Sequence, residues 1–134
     1  MPDKPGTREQ ERAQAAFRKV SSVSSKDWKE HYGRQCLHLP ALIHQCGLCQ
    51  ALTFLEAKGA DDDKKPWFHR LLDDLAQMMD SRSRQALTET VRNAPLPEYQ
   101  RLTLEALKCA QWFKRYAEAI LKVEPGGDEG TEAA

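Results

Sequence analysis

Tyr99, Leu102, Ala106, Cys109, Phe113, Tyr116, Ile120 and Val123 follow one another in strictly alternating three- and four-residue steps. Steps of this kind return to the same side of an α-helix, so this segment carries one apolar seam over several turns. A seam of that length must be covered by other helices. The rest of the chain supplies them: every long segment has a helical period, none alternates like a strand, and there is no Asn-Gly or Asp-Gly hairpin turn. The expected fold class is therefore all-α, a single-domain bundle of about six helices.

The 134 residues suit one domain with one core, and 40% hydrophobic with 30% charged residues is an ordinary composition for such a domain. No apolar run approaches the roughly 20 residues that cross a bilayer. The opening MPDKPGTREQER has no apolar stretch of the secretory kind. A cytoplasmic location without membrane contact is expected, with Cys36, Cys46, Cys49 and Cys109 as thiols. Residues 1–6 read as a flexible segment and 7–124 as the helical domain. The tail 125–134, PGGDEGTEAA, lacks large apolar residues and reads as disordered.

Thr7 and Gln10 match a capping box, which starts the first helix, and Ser21 to Ser25 predicts its break. A second helix is expected from about Lys26 to His38. Pro40 then kinks it or starts a third helix, which runs to about Lys58 with Gly59 as a left-handed cap. Pro66 suits the first position of a fourth helix. A short fifth helix spans about Ser83 to Arg92, and the sixth about Glu98 to Val123.

The stretch HQCGLCQ holds Cys46-x-x-Cys49 inside a segment that is apolar on all sides. Such a helix is normally buried. Cysteines in its middle lack the helix N-terminus that lowers a thiol pKa, and burial raises that pKa instead. In the helical C-x-x-C enzymes of the alkylhydroperoxidase D-like fold, a histidine follows the second cysteine by four residues. Here that position is Thr53. A zinc site needs four converging ligands, and no second C-x-x-C or H-x-x-x-H completes a set with Cys36, His38 and His44. Two small core side chains are the expectation, with thiol redox chemistry or metal binding as the alternatives.

Asp61-Asp62-Asp63-Lys64-Lys65 reads as a solvated loop, and Asp73-Asp74 as the outer face of the fourth helix. No G-x-x-x-x-G-K, G-x-S-x-G or H-E-x-x-H occurs. No catalytic residue, metal or cofactor is expected.

The charged residues balance, 20 basic against 20 acidic, which argues against a stand-alone nucleic-acid binder. Local stripes remain. Arg101, Lys108, Arg115 and Lys122 recur every seven residues, on a line on the order of 30 Å long. Arg8, Arg12 and Lys19 share a face of the first helix, with Arg18 beside it. Such lines can follow a phosphate backbone. They can equally be ion-paired surfaces, with Glu105 four residues after Arg101 and Glu118 four before Lys122.

The segments ERAQAAFRKV, LPALIHQCGLCQALTFLEAKG and YQRLTLEALKCAQWFKRYAEA resemble the small subunit of the type III-B CRISPR (Cmr) effector complex. The resemblance covers about Thr7 to Lys122. Its most specific parts are Leu39-Pro40, Gly47-Leu48, Gln50-Ala51-Leu52, Phe54-Leu55 and the closing EAL…WFKRYAEA. It implies an all-α protein with no catalytic site, stacked with copies of itself in a filament. Its other partners would be the backbone and large subunits and the guide RNA–target RNA pair. It implies RNA contact by Lys19, Lys114 and Arg115, and further by Arg12, Lys108 and Lys122. Cysteine is not required at the positions flanking Gly47-Leu48, which favours a packing role for Cys46 and Cys49. A helical protein-binding adaptor is the remaining alternative.

Overall fold

Thr7 opens the first helix as its sequence predicts. In the computed structural model, which describes residues 6–124, the Thr7 side chain accepts from the Gln10 backbone N–H at 3.0 Å, and Gln10 Oε1 reaches back to the Thr7 N–H at 3.0 Å. Two N–H groups left over at the helix start are thereby satisfied. Helix α1 then runs Arg8–Val23, through Ser21 and Ser22, and ends with Ser24 as its cap, within the serine run expected to break it. Val20 and Val23, both fully buried, hold that last turn onto the core.

Helix α2 spans Lys29–Cys46 and α3 Leu48–Lys58. Of the two expectations for Pro40, a kink or the start of a third helix, the second is not met. Pro40 lies inside α2 and is buried there. Packing of Leu39 and Ile43 on both sides of the proline outweighs its missing N–H. The break falls at Gly47, with φ 85° and ψ 159°, a backbone conformation essentially confined to glycine. Its N–H ends α2 on Ile43 O at 2.9 Å, and its carbonyl opens α3 by accepting from Ala51 N–H at 3.0 Å. The α3 start has a further cap from elsewhere in the chain: Cys49 N–H donates to the Tyr99 hydroxyl at 3.0 Å.

Gly59 ends α3 at φ −86°, not in the left-handed region expected of it. A side chain there would overlap the His69 ring, so glycine serves close packing instead. Helix α4 starts at Pro66 (Pro66–Met78) and α5 (Arg84–Asn93) is capped by Ser83, which accepts from Ala86 N–H at 3.0 Å. Asp61 to Lys65 form an exposed loop.

Helix α6, Leu96–Ala119, starts earlier and stops sooner than its pattern predicts. Pro97 fits the first turn, where no N–H is needed. Beyond Ala119 the apolar pattern continues, but not as helix. Lys122 adopts φ 58°, and Leu121 and Val123 turn inward against Gly33 of α2.

Helices α2 and α6 form the central pair. Helix α1 lies along α6 and also meets α4, while α3 and α4 pack on α2 and α5 packs on α3 and α4. Phe113, Ala106, Cys109, Ala110 and Ala117 of α6 are fully buried in this core, with Tyr32, Leu39 and Ile43 of α2. Each large apolar side chain so buried contributes about 1.5–3 kcal/mol. The described residues form one all-α bundle of six helices with no strand, as expected. No helix among them is long and apolar enough to cross a membrane. Residues 1–5 of the expected flexible segment and the expected disordered tail 125–134 lie outside the described residues.

Asp74, expected on an outer face, is buried at the crossing of α1, α2 and α4. The Tyr32 hydroxyl donates to its Oδ2 at 2.6 Å, and Arg70 Nε lies 3.3 Å from both carboxylate oxygens. Arg70 also reaches Ser22 Oγ at 2.7 Å. Burial raises the Asp74 carboxyl above its ordinary range, against the pull of Tyr32 and Arg70. Asp73 faces outward and pairs with Arg84 at 2.9 Å.

Candidate nucleic-acid interface

The exposed side of α6 is built from residues three and four apart: Lys108, Gln111, Trp112 and Arg115. This spacing puts them on one face. Helix α1 runs beside it and brings Glu9 and Arg12 across. Together the six line an open groove of about 690 Å³.

One ion pair joins the two helices. Arg12 forks onto Glu105, Nε to Oε2 at 2.9 Å and Nη2 to Oε1 at 2.6 Å, and Arg8 adds a contact to Oε2 at 3.2 Å. Both partners are largely buried, with 10% of the Arg12 side chain and 16% of Glu105 exposed. Hydrogen bonding from Arg12 holds the Glu105 carboxyl down at about 2 and raises the Arg12 guanidinium in turn. A bidentate pair at this depth is stronger than a surface pair. The Cys109 thiol lies against the same carboxylate at 3.6 Å, and burial there pushes it up to about 12.

The aromatic wall is equally fixed. Trp112 stacks on Tyr116 with centroids 5.7 Å apart and planes at 26°, and Phe17 of α1 meets Tyr116 edge-on at 5.6 Å. Phe17 is 49% exposed, so the row lies at the surface.

The sequence-predicted contact residues divide over this geometry. Lys108, Arg115 and Arg12 come together in the groove. Lys108 and Arg115 are exposed, with Arg115 only loosely set against Glu118 at 4.0 Å. The Arg12 charge is taken up by Glu105. Lys114 lies about 100° round the helix from Arg115, at the flank of the stripe. Lys19 is drawn toward α4, where Nζ donates to Gln77 Oε1 at 2.5 Å. Lys122 is exposed but lies past the end of α6, so the expected straight line of four cations is shorter by one. Arg101 is paired with Glu98. The expected pairing of Glu105 with Arg101 and Glu118 with Lys122 is replaced by Glu105 with Arg12 and Glu118 with Arg115.

The C-x-x-C does not lie within the core, which corrects the expectation. Cys46 is the last residue of α2 and is exposed, while Cys49, half-buried in the first turn of α3, packs against the core from its edge. The break at Gly47 moved both out of a helix interior. The buried thiols are Cys36 and Cys109. Among the described residues, no group of three or more histidines, cysteines or carboxylates is placed to hold a metal ion.

Sequence reasoning missed Glu9, Gln111 and the groove itself, and it read Trp112, off the apolar seam, as a copy-to-copy contact or a partly buried side chain. The signal was present in the spacing of Lys108, Gln111, Trp112 and Arg115, but the α1 wall is a tertiary feature.

The family model of the CRISPR-associated protein (Cas_Cmr5) matches residues 8–120. The chain belongs to this family. CRISPR system Cmr subunit Cmr5 of Thermus thermophilus is 40% identical over 116 residues, 87% of this chain and 97% of that protein. The X-ray crystal structure of a CRISPR-associated Cmr5 family protein from Thermus thermophilus superposes with a TM-score of 0.81 at 39% identity. It covers 87% of this chain and 99% of its own. Family membership agrees with the resemblance of the three quoted segments to the Cmr small subunit, and the match spans all six helices. The groove between α1 and α6 lies wholly within the matched residues.

Proposed function

We propose that this member of the Cmr5 family is the non-catalytic small subunit of a type III-B Cmr effector complex, working in the cytoplasm. Copies stack into a short filament beside the backbone subunits and line the groove that holds target RNA paired to the guide. Cleavage belongs to the backbone subunits. The α1/α6 face runs along the target strand, with Lys108, Arg115, Lys114 and Lys122 against its phosphates and Lys19 at the edge. Arg12 shapes the same face through its pair with Glu105.

The observation that supports this reading is the convergence of Lys108, Arg115 and Trp112 in one groove. Sites for single-stranded nucleic acid combine cations that follow the backbone with aromatic faces. A net charge of zero gives each copy little affinity, and several copies held in one assembly supply it by avidity.

The test is target-RNA affinity of reconstituted complexes across a salt series. Charge reversal at Lys108, Lys114, Arg115 and Lys122 weakens binding similarly for all target sequences, because phosphates carry no base identity. Each lost contact flattens the slope of log affinity against log salt by roughly 0.7 for single-stranded RNA, and somewhat more for a duplex. Lys19→Glu is the comparison; Arg12 is unsuitable because its loss also frees Glu105. A variant that assembles normally and keeps both affinity and slope would refute the RNA-contact assignment.

A further inference from the structure

We infer that the α1/α6 groove accepts one unpaired nucleotide, its base stacked on the Trp112 indole and its phosphate on Lys108 and Arg115. This rests on the RNA-contact reading above and adds a subsite to it.

The volume of about 690 Å³ falls in the roughly 300–1,000 Å³ range of sites for small ligands. The lining carries the parts that a nucleotide needs. Trp112 offers an aromatic face. Lys108 and Arg115 offer two cations, and the Arg115 contact with Glu118 is a loose one. Gln111 can donate and accept at a base edge, and Glu9 can accept from a base N–H. Arg12, committed to Glu105, contributes shape rather than charge.

The groove is also preorganised. Tyr116 backs the indole, Phe17 closes the aromatic row, and the Arg12–Glu105 fork joins α1 to α6. A stacking ring that is already fixed loses little freedom when a base arrives. A base inside a duplex has both faces covered by its neighbours, so only a nucleotide outside the stack can present one to Trp112. The occupant is therefore an unpaired or extruded nucleotide, and base identity matters little because every base has a π-face.

The experiment measures binding of the full chain to three probes: a single-stranded RNA of about 12 nucleotides, a length within the usual single-strand site sizes, the same backbone made abasic, and the intact strand annealed to its complement. Trp112→Leu keeps apolar packing on Tyr116 but removes the stacking face. It should bind the single strand on the order of tenfold more weakly, with an unchanged salt slope. Trp112→Phe should retain most of the affinity. Wild type should discriminate against the abasic strand and the duplex by a similar factor, and the leucine variant should lose that discrimination. If the leucine variant matches wild type on every probe while Lys108→Glu/Arg115→Glu binds weakly, backbone contact stands and the base subsite is wrong. If neither variant changes binding, the RNA-contact reading itself falls. Loss of self-association or complex assembly by the leucine variant with RNA affinity intact would make the groove a protein interface and overturn the inference. If the leucine variant does not fold, equal binding of wild type to the intact and abasic strands overturns it as well.

Discussion

Arg12 of α1 and Glu105 of α6, 93 residues apart in sequence, are joined by two hydrogen bonds of 2.9 and 2.6 Å in a largely buried fork. This contact joins the two helices that form the groove. It also makes the helix pair sensitive to acid. The Glu105 carboxyl lies at about 2 in the folded chain against 4.5 for an ordinary glutamate. A group depressed on folding stabilises the folded state above its unfolded value and loses that contribution as pH falls. The pair therefore supports the fold above about pH 4.5 and fails progressively toward pH 2. Glu105→Gln should cost on the order of 1–3 kcal/mol at neutral pH and flatten the acid limb of stability in that window. Urea midpoints measured from neutral pH down to the Glu105 value of about 2 check both. An unchanged acid limb would show that the fork is energetically silent.

Gly47 and Tyr99 jointly make the α2–α3 break. Gly47→Ala places a Cβ at φ 85° and should destabilise by about 1–3 kcal/mol. Tyr99→Phe removes only the hydroxyl that caps Cys49 N–H and should cost about 0.5–1.5 kcal/mol. Thermal melts of the two variants check the order, which should be alanine below phenylalanine below wild type.

Gly33 tests the C-terminal strap. In an ordinary helix Gly→Ala stabilises by roughly 0.5–1 kcal/mol. Here the new methyl would overlap Val123 and press on Leu121 at 3.3 Å, so Gly33→Ala should lower the melting temperature instead. Combining it with Val123→Ala should recover part of the loss. A stabilised single variant would mean that the strap does not hold this position.

The four thiols should separate by reactivity. Cys46 is exposed and should be labelled first by a thiol reagent in the native protein. Cys36 and Cys109 should react only on unfolding, since both are buried and burial raises each thiol well above its ordinary range. Mass-mapped labelling gives the order. Replacing Cys46 and Cys49 together with serine should leave complex assembly and target cleavage intact. Loss of activity in a folded double variant would revive a thiol chemistry for this pair.

What the sequence determined by itself was local. The Thr7–Gln10 capping box, Pro66 at a helix start and the seam from Leu102 to Phe113 depend on residues within a turn or two of one another, and they fold as their spacing predicts. The cationic face of α6 was legible for the same reason. Tertiary structure decided everything that depended on a distant partner. Pro40 stays inside α2 because core packing on both sides outweighs a lost hydrogen bond. The helix breaks at Gly47, where Tyr99 caps Cys49 from 50 residues further along the chain, and that break brings Cys46 to the surface. Asp74 is buried because Tyr32 and Arg70 meet it there. The expected partner of Glu105 was Arg101, a neighbour on the same helix. Its actual partner, Arg12, comes from another helix, and the pair joins the two helices that line the groove. Helical period is written in the spacing of side chains along one segment, whereas ion pairs, caps and cavities depend on which segments pack together.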